Sequence, residues 1–527
     1  MRSVGLVPRL ILLAVVLVVL AACGGGNNFV SSITTATLAN VTTTVAATQH
    51  PLVAEYSVSA PYAGQAMVEF GTDKRYGRQT AWFALPGDGS PLAMQVAGMK
   101  ASTTYHMRAT VYADGMLWTD RDQTFTTGPL PAITFPTLTV TRPTSALAST
   151  ENPGIEMINL LDWTGQTHVM QSLFSDRDGN PIWYYDVGVA QGYFPFPIKP
   201  LPNGHILLSI ANNLSGSLIL REVDLAGNTI REITLEQLNQ KLQQIGFSPL
   251  PVGIHHDVLP LKSGHMILLV TLAKNFTDLP GYPGTTEVIG DGLVEVDEDG
   301  NPVWEWSSFD HLDVNRHPGA LPDWTHSNAI VYLPADGDLL LSMRNQAWVL
   351  KIDYRDGTGT GNVLWRLGHE GDFALAGGHP SDWFYFQHYP SLISQDEQGM
   401  TLAIFDNGNN RVLDDDGTMC GTSGNPGCQT RATKFHVDES AHVATLLWED
   451  SPGFFTFWGG SINELGNGNM EFALSAPAPV PPGAMSVVQE VSPAPVPQVV
   501  WEMDIGGANA YRAYRVPSLY PGVTWRK

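Results

Sequence analysis

Several histidines stand directly ahead of aliphatic runs, in segments that resemble one another. His255 and His256 lie in GIHHDVLPLKSG, His326 lies in DWTHSNAIVYLPADG and His388 lies in FYFQHYPSLISQDEQG. A single histidine at such a place is more often structural. Because three neighbouring repeats carry histidine at an equivalent position, we predict that these side chains converge on one site.

Arg344 adds a positive charge to the same pattern, since it interrupts the strand-like segment LLLSMRNQ. A buried guanidinium needs a partner. A bound oxyanion suits its planar fork, although a surface ion pair is an alternative. Histidines beside an arginine favour anion transfer, in which a nitrogen attacks and positive donors hold the oxygens. A zinc site of three histidines is less suitable, because the arginine would oppose the cation.

Recurring phrases predict the elements that would position these residues. A glycine turn precedes an aliphatic run in LPNGHILLSI, LKSGHMILLV, LPADGDLLLS, QDEQGMTLAIF and LGNGNMEFAL. Alternating with it are turn-and-strand phrases such as SDRDGNPIWYYD and VDEDGNPVWEW. The period matches a propeller blade, so we predict an all-β chain whose residues 134–527 form a six-bladed β-propeller. The strand AYRAYRVPSL is expected to return and complete the first blade.

Residues 33–133 form a separate module by their pattern. They are rich in Thr, Ala and Val, and STTYHMRATVYADGMLWTDRDQTFTTG resembles the last strands of a fibronectin type III sandwich. The following PLPAITFPTLTVTRP is typical of a proline-marked linker. We predict a small β-sandwich here and find no candidate chemistry in it.

Composition limits the partners. The chain has 527 residues, 15% of them charged, and a net charge of -23. Such acidity argues against nucleic acid and against an anionic membrane surface as partners. An anionic substrate would therefore need a local cluster of positive groups, like the one above.

The N-terminus predicts export. Arg2 and Arg9 precede the short apolar run LILLAVVLVVL, and LAAC resembles a bacterial lipobox. Residues 1–22 are then a lipoprotein signal peptide, Cys23 is the lipidated residue and residues 23–32 are a tether. An ordinary signal peptide or membrane anchor is the alternative. Gly24 after the cysteine favours the outer membrane, with the protein at its periplasmic face.

Cys420 and Cys428 lie in the short segment TMCGTSGNPGCQT. In an oxidising compartment such a loop is expected to be closed by a disulfide. A pair of metal ligands is the alternative, and the lack of nearby partner residues disfavours it.

Taken together, these motifs make the chain resemble the bacterial arylsulfate sulfotransferases. The resemblance rests on HHD, on DWTHSN followed by SMRNQ, on QH before a strand leading to FDNG, and on the terminal YRAYR. It covers most of residues 145 to 520. It implies a six-bladed propeller with an additional β-domain, and transfer of a sulfuryl group from an aryl sulfate to a phenolic acceptor. No nucleotide donor and no cofactor or metal are implied.

The resemblance also implies roles for residues. His388 is the expected nucleophile, sulfated in a ping-pong reaction. His326, Asn328, Arg344 and one histidine of the HHD motif are expected to bind and polarise the sulfuryl oxygens. Spacing favours His256, and His255 stays open.

Substrate binding is assigned to Asn328 in DWTHSN, and to Tyr511 and Arg512 in YRAYR. For the YRAYR pair, simple packing of a closing strand is an equal alternative.

Two other function classes remain open at this point. One is a metal-dependent hydrolase or lactonase on a propeller, which a chelator would inactivate. The other is a ligand-binding propeller without turnover, in which His388 would be replaceable. The sequence also allows a homodimer.

Overall fold

A computed structural model describes residues 38–143, 150–162, 164, 166–213, 217–421, 427–479 and 483–526. Cys23, the signal peptide and the tether lie outside the described residues. The described part is dominated by β-strands, as the sequence predicts. Within these ranges no helix is both long and apolar enough to cross a membrane.

The N-terminal part consists of two antiparallel sheets. The first contains β1 (Thr42–Ala47), β2 (Ala54–Ser59) and β6 (Pro91–Val96). The second contains β3 (Gly64–Gly71), β4 (Arg78–Gln79), β5 (Phe83–Leu85), β7 (Thr104–Ala113), β8 (Met116–Thr119) and β9 (Gln123–Thr126). Buried and half-buried residues alternate along β2, and the buried side chains of both sheets belong to one hydrophobic cluster. This alternation is what a sheet with one covered face requires.

Six further sheets follow. Sheet 1 holds β13 (Pro181–Tyr184), β12 (Ser172–Ser175), β11 (Ile155–Leu161) and β35 (Asn509–Val516), in that order. Sheet 2 holds β14 (Phe194–Pro200), β15 (Ile206–Asn212), β16 (Ser217–Val223) and β17 (Thr229–Thr234). Sheet 3 holds β18 (Gly253–Pro260), β19 (Met266–Leu279), β20 (Tyr282–Val296) and β21 (Pro302–Ser307).

The remaining three sheets repeat this arrangement. Sheet 4 holds β22 (Ser327–Leu333), β23 (Asp338–Met343), β24 (Trp348–Ile352) and β25 (Val363–Leu367). Sheet 5 holds β26 (Ala374–Leu375), β30 (Val443–Asp450), β29 (Arg431–Asp438), β28 (Gly399–Asp406) and β27 (His388–Gln395). Sheet 6 holds β10 (Thr137–Thr141), β34 (Val499–Gly506), β33 (Ser486–Val491), β32 (Met470–Ser475) and β31 (Ser461–Glu464).

One strand of each sheet lies next to the corresponding strand of the following sheet. The contacts run from β14 to β18, β22, β27 and β31, and β31 then contacts β35. β35 pairs antiparallel with β11, which itself contacts β14. The returning C-terminal strand that the sequence predicts is therefore present, and it joins the first and last of the six sheets.

Helices are few and short. In the described residues they are α1 (Leu235–Ile245), α2 (Ser308–His311) and three 3-10 turns at Val189–Gln191, Arg355–Gly357 and Pro380–Asp382. α1 begins with a capping box between Thr234 and Gln237 and ends at Gly246, whose φ of 83° is the left-handed conformation that glycine tolerates. Leu238 and Leu242 anchor it on sheets 2 and 3.

The expected linker is partly structured. β10, which lies within PLPAITFPTLTVTRP, pairs with β34 and forms the edge of sheet 6. The N-terminal module also packs on the rest: His50 Nε2 lies 3.0 Å from the Tyr184 carbonyl oxygen, and Lys100 pairs with Asp176 at 2.8 Å. At the C-terminus, the Trp525 indole donates to the Gln79 carbonyl at 2.8 Å.

The disulfide prediction is confirmed, since Cys420 and Cys428 are bonded to each other. The bond closes a short loop that follows β28, and both cysteines pack against Phe455.

Candidate active site

One cavity collects most of the residues singled out by their spacing. It has a volume of about 490 Å³. Its polar wall contains His255, His256, His326, Arg344 and His388. The histidines thus converge, although they come from three different sheets.

Apart from Asn213, the remaining wall is apolar and rich in aromatic rings. It includes Tyr511 together with Leu161, Phe194, Phe196, Ala211, Leu218, Ile254, Phe457 and Trp458. The Tyr511 ring is stacked on Trp458, with centroids 6.4 Å apart and planes 15° apart, and it meets Phe196 edge-on at 4.6 Å. Such a surface suits a flat aromatic group.

Irregular strand pairing directs these side chains into the cavity. The register of the sheet shifts after Ile254 in β18, after Ser327 in β22 and after His388 in β27. A β-bulge re-aims the side chains beside it, which a regular strand would keep in strict alternation. In β35 the extra residue of the bulge is Tyr511, because Asn159 pairs with Arg512 and Leu160 with Ala510.

Left-handed backbone conformations also mark the three histidine segments as irregular. His256 and His326 have φ values of 53° and 48°, and Tyr389 next to His388 has 44°. Left-handed backbone at a non-glycine residue costs about 1–3 kcal/mol and persists where the surroundings enforce it. The surrounding sheets therefore stabilise a strained arrangement at all three histidine segments.

His388 is held in one tautomer by its neighbours. Its Nδ1 lies 2.7 Å from Asn407 Oδ1, and its Nε2 accepts a hydrogen bond from the Gly459 backbone N–H at 3.2 Å. Asn407 donates through Nδ2 to the carbonyls of Thr456 and Gly459, so its oxygen must face the histidine. The proton of His388 accordingly lies on Nδ1, and Nε2 carries the lone pair.

His388 is also kept uncharged. It is 1% exposed, and burial lowers its pKa well below the ordinary value. The positive charge of Arg344 lowers the pKa further, while the hydrogen bond with Asn407 opposes the shift. A neutral imidazole with a free electron pair is the form that can act as a nucleophile.

Arg344 presents a guanidinium with spare donors. Nη1 donates to Asn345 Oδ1 at 2.8 Å and Nη2 to the Phe457 carbonyl at 2.9 Å, whereas Nε has no hydrogen-bond partner within the described residues. Burial lowers the pKa of Arg344 to about 10, against the opposing charge of Asp323. The group therefore stays positive at neutral pH.

His326 and His255 are each oriented by a carboxylate, whereas His256 is held by His255. His326 Nδ1 lies 2.6 Å from Asp323 Oδ2. His255 Nε2 lies 3.1 Å from Asp291 Oδ1, and the Nδ1 atoms of His255 and His256 are 2.6 Å apart. Because the Asp323 carboxylate accepts a hydrogen bond from Nδ1 of His326, the other ring nitrogen of His326 remains available to a bound group.

Asn328 and Arg512 differ from the expected direct contact with substrate, because neither lines the cavity. Asn328 donates to the Gln387 carbonyl at 2.8 Å and accepts from the Tyr389 N–H at 3.4 Å, so it ties β22 to the start of β27. Arg512 is 1% exposed and bonds to Asp257, to the Asn328 carbonyl and to the Tyr511 hydroxyl. Both side chains therefore lie behind the cavity wall.

Arg515, the other arginine of YRAYR, is structural. It forms buried ion pairs with Glu156, Glu471 and Glu490. The YRAYR motif thus sends one residue, Tyr511, to the cavity.

Sequence reasoning missed several residues that shape the site. Asn407 lies in the segment FDNGNNR but its link to His388 spans two strands and has no signature in the sequence. Asp291 offered a signal, because a carboxylate inside the strand-like segment VIGDGLVEV must have a buried partner. Phe196 occupies, on the bulged strand β14, the place that histidine takes in the next sheets.

Within the described residues, no group of three or more His, Cys, Asp and Glu side chains is arranged to hold a metal ion. The histidines are instead engaged one by one with carboxylates, an amide or each other.

Comparison with known proteins gives one family. The model of the family described as arylsulfotransferase matches residues 141–515. No match is found among curated proteins. Similar solved structures include dihydro-heme d1 dehydrogenase NirN, with 11% identity, 72% of this chain and 80% of that chain covered, and a TM-score of 0.31. Another is a hypothetical selenium-binding protein from Sulfolobus tokodaii, with 11% identity, 90% and 95% covered, and a TM-score of 0.32.

Proposed function

The chain belongs to the arylsulfotransferase family, and from this premise we propose that it transfers a sulfuryl group from an aryl sulfate to a phenol by way of a sulfated His388. The observation that carries the proposal is the neutral His388, with its proton fixed on Nδ1 and its Nε2 lone pair beside Arg344 in an aromatic-walled cavity.

In the first half-reaction, Nε2 of His388 attacks sulfur and the bond from sulfur to the aryl oxygen breaks. The departing oxygen takes a proton from a histidine of the cavity and leaves as a phenol. Attack requires loss of the weak hydrogen bond from Gly459, a cost of about 1 kcal/mol. In the second half-reaction, the oxygen of an acceptor phenol attacks sulfur and the N–S bond breaks. The phenolic proton passes to a histidine of the cavity.

Arg344 and His326 stabilise the charge that the three sulfuryl oxygens carry. As in phosphoryl transfer, that charge lies on the equatorial oxygens while nucleophile and leaving group stand in line. Donors that are already held in place by the protein stabilise such charge without reorganising. Arg344 is suited to this because its Nε is buried and has no hydrogen-bond partner in the part of the chain that the structure describes.

The fold proposal follows from the order of the sheets. We propose that sheets 1 to 6 are the blades of a β-propeller, with the neighbouring strands β14, β18, β22, β27, β31 and β35 around its axis. The two N-terminal sheets are proposed to form the fibronectin-like sandwich. An experimental structure with six blades of this strand order is the expected result, and another sheet arrangement would contradict it.

We also propose that the protein is exported and anchored through lipidated Cys23. The lipobox-like LAAC supports this. Mass spectrometry of the N-terminal peptide of the membrane fraction is expected to show a lipid on Cys23. Release of the Cys23→Ala variant from the membrane is expected, and equal retention of that variant would contradict the proposal.

Mass spectrometry also tests the reaction. After brief exposure to an aryl sulfate without acceptor, the peptide that contains His388 is expected to gain one sulfuryl group, and added phenol is expected to remove it. The His388→Asn variant should show no gain. A matched control is His436→Asn on β29, which lies outside the cavity and should be sulfated normally. A protein that releases no phenol from any aryl sulfate would contradict the proposed function.

A further inference from the structure

A row of three side chains leads from the interior of sheet 3 to the cavity: Asp291, His255 and His256. Asp291 is 2% exposed, and its Oδ1 lies 3.1 Å from His255 Nε2. This is an ion-pair distance, and its angle is not that of a well-aligned hydrogen bond. His255 Nδ1 then lies 2.6 Å from His256 Nδ1. His256 lines the cavity, so its remaining nitrogen, Nε2, is the one left for a bound group.

Counting protons leaves two possible protonation states for these three side chains. A separation of 2.6 Å between two ring nitrogens requires one proton between them, since two lone pairs or two N–H groups would repel. Asp291 Oδ2 already accepts from Thr325 Oγ1 and the Ser327 N–H, each at 2.6 Å. Burial alone would raise the pKa of Asp291, but the neighbouring His255 and the hydrogen bonds from Thr325 and Ser327 hold it below the ordinary value. The carboxylate is therefore ionised, and His255 carries a proton on Nε2.

The position of the shared proton decides what His256 offers to the cavity. If His255 is an imidazolium, its Nδ1–H donates to His256, whose own proton is then on Nε2. If His255 is neutral, His256 donates through Nδ1 and its Nε2 is a bare acceptor. Burial and the neighbouring positive groups lower the pKa of His256 far below its ordinary value, so His256 carries one proton in both states.

We propose that Asp291 is a positioning residue of a proton relay, Asp291–His255–His256, which makes His256 Nε2 the acid for the leaving phenol and the base for the acceptor phenol. This inference rests on the proposed sulfuryl transfer. It separates the adjacent histidines by role: His256 contacts the reacting group, and His255 stores the proton next to the Asp291 carboxylate.

Each proton that the relay gives up in the first half-reaction is returned to it in the second. As the bond from sulfur to the aryl oxygen breaks, His256 Nε2–H gives its proton to the departing oxygen and His256 Nδ1 takes the proton of His255 Nδ1. His255 is left neutral, with its Nε2–H toward Asp291. When the acceptor phenol attacks sulfur, its proton moves to His256 Nε2, and the Nδ1 proton of His256 returns to His255.

The test uses the full chain and a series of aryl sulfates whose phenols differ in acidity, with single-turnover phenol release as the readout. In Asp291→Asn, His255 cannot be stabilised as an imidazolium, so the acid is lost. An acidic nitrophenol leaves without help, and the loss for it should be below about tenfold. For the least acidic phenols the loss should reach about 100-fold or more, the range of general acid catalysis.

Thr325→Val is the matched control. It removes a hydrogen bond to the same carboxylate but leaves the charge, so it should slow all donors by one common factor. His255→Gln cannot hold the proton and should reproduce the dependence on the leaving group, which keeps the test decisive if Asp291→Asn does not fold.

A uniform loss across the donor series in both Asp291→Asn and His255→Gln, or no loss, would overturn the relay while wild-type sulfation of His388 stays intact. Failure of the proposed function has a different result, because wild-type protein would then release no phenol from any donor.

Discussion

Replacing Asn407 by alanine should disable His388 without touching the nucleophile itself. In the native protein the Asn407 carbonyl oxygen accepts from His388 Nδ1 at 2.7 Å, and the amide nitrogen is fixed by the Thr456 and Gly459 carbonyls. Alanine removes the acceptor from a histidine that is 1% exposed, so no solvent replaces it.

The size of the effect follows from the two tautomers of His388. With the proton on Nδ1, a buried donor is left without a partner, at a cost of about 1–3 kcal/mol. With the proton on Nε2, the lone pair needed for attack is lost, and the new N–H faces the Gly459 N–H, which lies 3.2 Å away. Because about 1.4 kcal/mol corresponds to a factor of ten in rate, sulfation should slow by roughly 10- to 100-fold.

The assay is single-turnover phenol release from an aryl sulfate, with thermal unfolding measured in parallel. Asn409→Ala is the control: Asn409 donates to the Phe457 carbonyl at 3.2 Å, in the same loop, but has no contact with His388. It should keep the sulfation rate. Normal sulfation by Asn407→Ala, or an equal loss in both variants, would refute the assignment of the tautomer to Asn407.

Three further results are expected. Arg344→Gln should lower kcat/KM by about 100-fold or more, because one preorganised oxyanion donor contributes about 3 kcal/mol, and an unchanged value would remove Arg344 from the site. Burial lowers the pKa of His50 to about 4. Between pH 6.5 and 4 the unfolded chain binds a proton at His50 and the folded chain does not, so the free energy of unfolding decreases by about 3 kcal/mol as the pH is lowered through this range. His50→Gln should flatten this slope in chemical denaturation, and an unchanged slope would contradict the reasoning. Cys428→Ser should lower the free energy of unfolding by about 2–3 kcal/mol, because the bond to Cys420 restricts the unfolded chain; an identical denaturation midpoint would count against it.

The β-rich character of the chain could be anticipated because its signals are local. Glycine turns followed by aliphatic runs predicted strands such as β23 in LPADGDLLLS, and the structure has β23 at Asp338–Met343, buried along its whole length. The return of AYRAYRVPSL to β11 also followed from the repeat, since the first sheet otherwise lacks a strand. The linker prediction was less accurate, because β10 is stabilised by its pairing with distant β34 rather than by its own sequence.

The site was partly predictable because its histidines lie in local motifs that repeat along the sequence. Repetition placed His256, His326 and His388 at equivalent positions, and their convergence in one cavity agrees with that. Their orientation did not follow, because bulges and left-handed residues depend on how each strand meets its neighbour. Asn328 and Arg512 illustrate this: they lie in motifs of the site, yet their side chains bond to backbone behind the cavity wall.

The sequence by itself determined the β-rich architecture, the positions of the histidines and the arginine, and the disulfide, because turn residues, repeat spacing and cysteine spacing act over short distances. Tertiary structure alone decided the chemical state of the histidines. The tautomer of His388 depends on Asn407, which lies 19 positions away, and His255 faces the buried carboxylate of Asp291, which lies 36 positions away in the sequence. Burial and hydrogen bonding set protonation, and both arise only when separate sheets pack around one cavity.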